Sequence, residues 1–409
     1  MYIPEGALIH FGNKAPAGVF GFVRNNGNIS MQQNANIYFM GKIWMNENKA
    51  TVTDETTVKN SVKGGTVHFL GNNSLYGNVG QQILHPGFID STSSGVCFTN
   101  ISLDNAAGLI ITSDMAVINE VNFRRGHIYL NNYNVVLGDS LTSGKVSGYD
   151  QSRYFVTGSN PAGGFLKYVY VPSGMSAAFP IGPDNKNYAP LQMLNRGSAD
   201  RFFARAFDKV YANATSGSVI TDSTLEVTWN VGKSSTASND VMVTLQHDEI
   251  VEDPVFKAHR NASYISLFGS NKWDKPSFRP NPQTPGNISS SFSIPSAMMN
   301  SRTFTLTDKS LFLSKRVTKG RKYFDVVNVF SPNGDNINDK WIVKGLRDYT
   351  NCVVEIYNRY GQMIFRSIGY NQPWDGTYKG KPMPVATYYY VIDLKNGDQP
   401  VGGSVTILR

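Results

Sequence analysis

Cysteine is nearly missing from this chain. Its 409 residues include 2, Cys97 and Cys352. Both sit among apolar neighbours, Val96-Cys97-Phe98 and Cys352-Val353-Val354. They read as buried, inert thiols in different domains, with no disulfide between them, and they leave the redox compartment open. Charge is also sparse, at 17% of residues. Histidine is scarce too: the 6 are His10, His68, His85, His127, His247 and His259. No two of them stand at zinc-ligand spacing and no cysteine pair accompanies them, so a structural zinc site is not expected. His68 and His127 read as satisfied structural histidines inside strands. No apolar run approaches the ~20 residues that a membrane-spanning helix needs. Gly64-Gly65 and Gly163-Gly164 are lone pairs without a following helix, so no phosphate-cradling loop is present.

Aromatics are plentiful at 12% and spread along the chain, which argues against disorder. Glycine, asparagine, serine and threonine are abundant. That composition fits an all-β extracellular protein. The length accommodates two to four domains with real cores. The net charge is +8, and residues 315–409 hold 14 Lys and Arg against 8 Asp and Glu. Much of the excess lies in the run Lys315, Arg316, Lys319, Arg321 and Lys322. The run is short and lacks interleaved stacking aromatics, so it reads as a solvated linker and not as a nucleic-acid site.

Residues 1–157 read as short strands with Asn/Gly corners, such as Ile37–Met40, Thr66–Leu70 and Asn134–Leu137. They recur at roughly 20 residues, which predicts a solenoid-like β-helix, with a β-sandwich as the alternative. From 158 to 314 the strands lengthen. In Leu225, Val227, Trp229 and Val231 the apolar residues share one face, with Glu226, Thr228 and Asn230 on the other. An immunoglobulin-like antiparallel sandwich is predicted there. Residues 315–324 form the basic linker, and 325–409 the last domain.

That last domain holds β-branched and aromatic runs at Val353–Tyr357, Gln362–Phe365, Thr387–Leu394 and Ser404–Leu408. Turn chemistry separates them: Asn358–Gly361, Asp375-Gly376, Asn396–Asp398 and Gly402-Gly403. A small antiparallel sandwich of about seven strands is predicted. Four motifs stand in order: Pro332-Asn333-Gly334-Asp335 with Asn338-Asp339; Asn358-Arg359-x-Gly361; Trp374-Asp375-Gly376; and Tyr388-Tyr389-Tyr390. Together they resemble the type B, gliding motility-associated C-terminal sorting domain of proteins exported by the type IX secretion system of Bacteroidetes. The resemblance covers about the last 80 residues. Asn336 stands where that family carries glycine, and asparagine tolerates the left-handed backbone best among the alternatives.

The resemblance implies recognition by the outer-membrane barrel of the type IX translocon and by its shuttle and anchoring proteins. It implies secretion across the outer membrane, to the cell surface or beyond. It also implies a removed Sec leader, since Met1–Gly6 has no basic or apolar leader region. Within the motif, Trp374 reads as a core anchor and Asn358, Arg359 and Gly361 as a hairpin turn. Pro332 to Asp339 reads as an entry loop. The final strand, ending at Arg409, offers an edge to a partner sheet. Residues 1–157 more loosely resemble the Asn-rich regions of large Bacteroidetes surface proteins.

Catalytic chemistry is not evident, and the chain is read as a non-enzyme. A β-helix raises the expectation of polysaccharide cleavage, which needs two carboxylates facing one groove. Asp90, Asp104, Asp114, Glu120, Asp139 and Asp150 read as corner residues instead. His247 with Asp248, Glu249, Glu252 and Asp253 reads as a solvated acidic loop. No cofactor is expected. Asn333 to Asp339 has oxygen ligands at spacings that could hold Ca²⁺, but Asx side chains bonding their own backbone explain the same composition. The function expected is an adhesin-like or gliding-associated surface protein. The alternative is an exported polysaccharide-degrading or carbohydrate-binding protein, with Trp44, Trp229 or Trp273 stacking on sugars.

Overall fold

The computed structural model describes residues 1–47, 50–54, 64–71, 80–84, 98–139, 143–221, 223–248, 251–259, 263–274, 299–307, 310–317, 325–346, 349–395 and 400–409. They form two compact units, Met1–Thr318 and Lys319–Arg409. Strands dominate both. Among the described residues one short α-helix occurs, Pro254–Ala258, whose N-terminal amide at Phe256 is capped by the Asp253 carboxylate at 2.8 Å.

The first unit begins as stacked parallel ladders. One ladder runs Tyr2–Ile3, Val23–Asn25, Ile43–Asn46, Gln81–Leu84, Leu109–Ile111, Ile128–Tyr129, Phe155–Val156 and Ile181–Gly182. A second contains Pro16–Val19, Asn36–Phe39, Thr66–Leu70, Phe98–Asp104, Met115–Arg125, Val135–Leu137 and Leu166–Val171. A third holds Leu8–Phe11, Asn28–Met31 and Thr51–Asp54. The first three circuits add one strand to each ladder, and the later ones add strands to the first two. Early circuits are 20 or 21 residues long, as the His10–Ser30 and Asn25–Asn46 hydrogen bonds record. The middle circuits are longer, 39 residues from Ile43 to Gln82 and 28 from Ile83 to Ile111, and the later ones are 19 from Leu109 to Ile128 and 26 from Phe155 to Ile181.

Parallel pairing in register stacks like on like. Phe39, Trp44, Phe69 and Phe98 form an inward column with ring centroids 5.4 to 6.2 Å apart. Trp44 is therefore core, not a sugar platform. Its indole N–H donates to Asn46 Oδ1 at 3.0 Å, and Asn25 donates to the same oxygen at 3.2 Å. Asn25 Oδ1 in turn accepts from the Gly27 amide at 3.1 Å, a corner group whose loss of a partner would cost about 1–3 kcal/mol.

The expected division at 157/158 falls inside this unit. Leu166–Val171 pairs in parallel with Val135–Leu137 on one side and antiparallel with Asp200–Asp208 on the other. The sheet then continues antiparallel through Thr224–Lys233, Leu311–Val317, Ser263–Gly269 and Lys272–Trp273. A separate antiparallel sheet holds Ser176–Phe179, Leu191–Asn195, Asn239–Leu245 and Asn300–Leu306. Leu225, Val227, Trp229 and Val231 are buried as their alternation predicts, in one core cluster that extends from Ile3 to Val317. Trp229 donates its indole N–H to the Ala189 carbonyl at 2.8 Å, and Trp273 to the Tyr211 carbonyl at 2.8 Å. Trp273 is half-buried.

Two charged sites differ from the sequence reading. Lys315 and Arg316 belong to strand Leu311–Val317, not to a linker. Lys315 is fully buried and its Nζ lies 2.8 Å from His247 Nδ1, while His247 Nε2 lies 2.8 Å from Glu252 Oε1. The expected solvated acidic loop thus starts inside the protein. Residues 318–324, Glu249, Cys97, His85 and Asp90 lie outside the described residues.

Candidate functional site

The second unit builds its own core from Phe330, Trp341, Val343, Leu346, Cys352, Val354, Ile356, Ile364, Tyr370, Trp374, Tyr388, Tyr390, Ile392, Leu394, Val405 and Ile407. Its five-stranded sheet has the order Val329–Phe330, Val401–Ile407, Thr387–Asp393, Val353–Tyr357, Met363–Ile368. Asp325–Val326 pairs with Val343–Lys344, and Thr377–Tyr378 with Lys381–Pro382. The sheet is antiparallel except at one place. The entry strand Val329–Phe330 runs parallel to the last strand, and the Leu408 amide donates to the Phe330 carbonyl at 3.0 Å.

That entry strand changes one expectation. It covers the C-terminal strand at Thr406 and Ile407, and Val401 to Val405 have no second strand beside them among the described residues. The other edge of the sheet is Met363–Ile368, which pairs on one side along its whole length. A second correction concerns Gly402-Gly403, which form no turn. They lie within strand Val401–Ile407, opposite Val391 and Tyr390. A Cβ on Gly403 would come within 2.1 Å of the Tyr390 phenol oxygen. Glycine here makes room for an aromatic ring.

The four motifs sort by what each holds. In the entry loop one carboxylate gathers three amides. Asp339 Oδ1 accepts from the N–H groups of Asn333 at 2.9 Å and Gly334 at 2.8 Å, and Oδ2 accepts from Asn336 at 2.8 Å. These amides hold the Asp339 carboxyl below its ordinary pKa, the Gly334 bond contributing most. Asp335 Oδ1 accepts from the Ile337 amide at 2.7 Å, and Asn333 Nδ2 donates to Asp335 Oδ2 at 3.0 Å. Gly334, Asn336 and Asn338 take φ of 86°, 65° and 54°, so asparagine at 336 does adopt the left-handed backbone. Among the described residues no cluster of three or more Asp, Glu, His or Cys side chains could hold a metal ion.

The Trp374-Asp375-Gly376 turn docks on the same loop. The Trp341 amide donates to the Trp374 carbonyl at 2.8 Å. Asp375 Oδ1 accepts from the Thr377 amide at 3.0 Å and hydroxyl at 2.7 Å. Gly376 has φ 75°, and a Cβ there would sit 2.8 Å from Pro332 Cγ. Trp374 itself is buried, edge-on to Tyr388 at 5.3 Å, and donates its indole N–H to the Thr377 carbonyl at 2.9 Å. Tyr388 donates its hydroxyl to the Pro384 carbonyl at 2.8 Å. Arg409 is exposed and donates to the Met383 carbonyl at 2.9 Å.

The Asn358–Gly361 hairpin is separate, with no hydrogen bond to the entry loop among the described residues. Asn358 Oδ1 accepts from the Tyr360 and Gln362 amides, each at 3.0 Å, and Gly361 has φ 77°. Arg359 is exposed. Its guanidinium sits 4.9 Å from the Tyr360 ring centroid and donates to the Tyr360 hydroxyl at 2.7 Å. Tyr360 is 77% exposed.

One surface feature had no place in the sequence reading. Tyr357 pairs with both Met363 and Tyr389, which makes a row across the outward face of the sheet. Tyr389 is 53% and Met363 44% exposed. The signal was the strand period of two in Tyr388-Tyr389-Tyr390: if the outer two point inward, the middle one must point out.

Residues 324–407 match the family described as the CHU_C type IX secretion signal domain. No curated protein and no solved structure matches the chain. The matched segment coincides with the second compact unit. The chain therefore carries a type IX secretion signal, the C-terminal sorting domain of Bacteroidetes type IX cargo. Such a signal interacts with the type IX secretion machinery. It directs export across the outer membrane, to the cell surface or the extracellular space.

Proposed function

We propose that residues 319–409 act as a folded address label, and residues 1–318 as a non-enzymatic, adhesin-like or gliding-associated body displayed at the cell surface. The observation that carries this reading is the segregation of the signal into a unit with its own core, distinct from the core of the body. The direct partners are the outer-membrane barrel of the translocon and its shuttle and anchoring proteins. They dock on the free edge Met363–Ile368 and on the adjoining row Met363, Tyr357 and Tyr389, with Arg359 and Tyr360 at its end. A free edge supplies main-chain hydrogen bonds, and exposed aromatics supply area at low entropy cost.

The carboxylates of the body favour a non-enzymatic role. Asp104 is paired with Arg125 at 3.0 Å, Glu120 with Lys145 at 3.4 Å and Asp150 with Arg153 at 3.1 Å. Each is held by a cation of its own.

The test is transfer of the label. Residues 315–409 fused to a fluorescent periplasmic protein should carry it to the surface, and a chain lacking 325–409 should stay in the periplasm. Normal surface display of the truncated chain would overturn the address-label role.

A further inference from the structure

The body has a basic cleft that the export reading does not use. Strand Met115–Arg125 pairs with Phe98–Asp104, and the register slips at its end: Leu103 lies opposite Phe123, but Asp104 lies opposite Arg125. The extra residue is Arg124. A bulge of this kind breaks the in-out alternation and re-aims side chains. Here it leaves two consecutive arginines exposed, side by side, at the strand end. Gly126 follows with φ 86°, and a Cβ there would lie 1.8 Å from the Asn105 carbonyl oxygen, so the turn admits only glycine. The next circuit adds Arg153, whose Nη1 donates to the Arg124 carbonyl at 2.9 Å.

These three arginines line two adjoining cavities. One, of about 310 Å³, is completed by Ala106, Gly126, His127 and Ser152. The other, of about 520 Å³, is completed by Asp104 and Phe123. Arg125 is paired with Asp104 and Arg153 with Asp150. Arg124 has no ion-pair partner among the described residues. His127 was read from the sequence as a satisfied strand histidine. It instead precedes its strand, and its Nε2 is buried with no hydrogen-bond partner. Burial holds the ring below its ordinary pKa, hence neutral, against the opposing charges of Asp150 and Asp184. Burial lowers the pKa of His68, and the charge of Arg124 lowers it further. His68 stacks on Tyr38 at 4.7 Å with an interplanar angle of 15°, which extends a flat aromatic surface on the same sheet.

We propose that the Arg124, Arg125 and Arg153 cleft binds an acidic polysaccharide, with Arg124 as the fork for a sugar carboxylate or sulfate ester. This deepens the adhesin-like reading and rests on it by naming the ligand class of the body. Three guanidiniums against two paired carboxylates leave about one free positive charge. That suits the spaced charges of an acidic glycan better than nucleic acid, whose strands carry a phosphate every ~3.4 Å. Two adjoining depressions that open broadly to solvent suit a polymer better than a free ion.

The full chain should be titrated with polygalacturonate, dextran sulfate, neutral dextran and a single-stranded oligonucleotide. Polygalacturonate or dextran sulfate should bind, weakening as salt rises, and dextran should not; which of the two is tighter identifies the anionic group. Arg124→Gln should weaken binding about tenfold or more with unchanged melting temperature, because one charge-assisted contact is worth that much. Arg124→Lys keeps the charge without the fork and should fall between. Lys145→Gln, which removes an exposed charge outside the lining, should bind as wild type. No binding to either acidic polymer, equal binding by Arg124→Gln, or tighter binding to the oligonucleotide would overturn the proposal. Surface display is read separately, so a failed cleft and a failed address label give different results.

Discussion

Tyr370 joins the two buried tryptophans of the sorting domain through one oxygen, which donates to the Trp341 carbonyl at 2.7 Å and accepts from the Trp374 amide at 3.1 Å. Burial pushes the phenol well above its ordinary pKa, so it stays a donor at every physiological pH. Tyr370→Phe keeps the ring and deletes both bonds. It should cost on the order of 2 kcal/mol, because the buried amide and carbonyl are left to find other partners. The change should appear in the calorimetric transition of the second unit and leave that of the first unmoved.

Gly403 faces Tyr390 across two antiparallel strands. Gly403→Ala puts a methyl where the phenol lies, and the strand cannot move without breaking its ladder. A loss of about 1–3 kcal/mol is expected, as for overpacking in a core. The double variant Gly403→Ala with Tyr390→Leu should recover part of it. Full stability of the single variant in urea unfolding would show that the ring has room to swing away.

Local rules made some of this structure readable and left other parts hidden. Leu225 to Val231 and Tyr388 to Tyr390 were legible because strand alternation is written residue by residue. Gly403 was not, since glycine is equally at home in a turn and beneath an aromatic ring. Lys315 was misplaced because a lysine among basic neighbours looks exposed; its partner His247 lies 68 residues away. Arg124 was missed because a bulge is a property of register between strands. The sorting motifs were legible because their asparagines, aspartates and glycines act within a few residues of themselves.

Asp339 should make the sorting domain acid-sensitive. A carboxyl whose folded pKa is depressed stabilises the fold above its unfolded value, near 4, and that contribution is lost as pH falls through the folded value. The second unit's melting temperature should therefore drop as pH is lowered from 5 to 3. Asp339→Asn should start lower at pH 7 and lack this part of the drop. The same oxygens already accept three amides, so chelating calcium should leave the wild-type transition unchanged; a clear fall on chelation would restore calcium to the loop.

Lys315 should give the first unit a dependence of the same sign, in a higher pH window. Burial drives its pKa well below the ordinary value, with Glu252 opposing. The unfolded chain then binds more protons than the folded one until pH reaches about 10.4, so stability rises with pH toward that value. Lys315→Met should flatten this slope between pH 7 and 10. It should also destabilise, by about 3–5 kcal/mol, if the Glu252 and His247 pair cannot rearrange. A first-unit transition whose slope with pH is the same in both proteins would mean that Lys315 is not the titrating group.

Tyr389 and Met363 separate recognition from folding. Both are exposed and flank Tyr357 on the outward sheet face, so neither supports the core. Tyr389→Ser with Met363→Ser should leave the second unit's melting temperature within about 1 kcal/mol of wild type, as surface changes do. If the translocon reads this row, the variant should accumulate in the periplasm while the wild type reaches the surface. Tyr370→Phe supplies the comparison, because it weakens the fold without altering the row. A Tyr370→Phe chain that is exported while the surface variant is retained would place the signal in the exposed row. The reverse pattern would mean that the machinery responds to the stability of the unit alone.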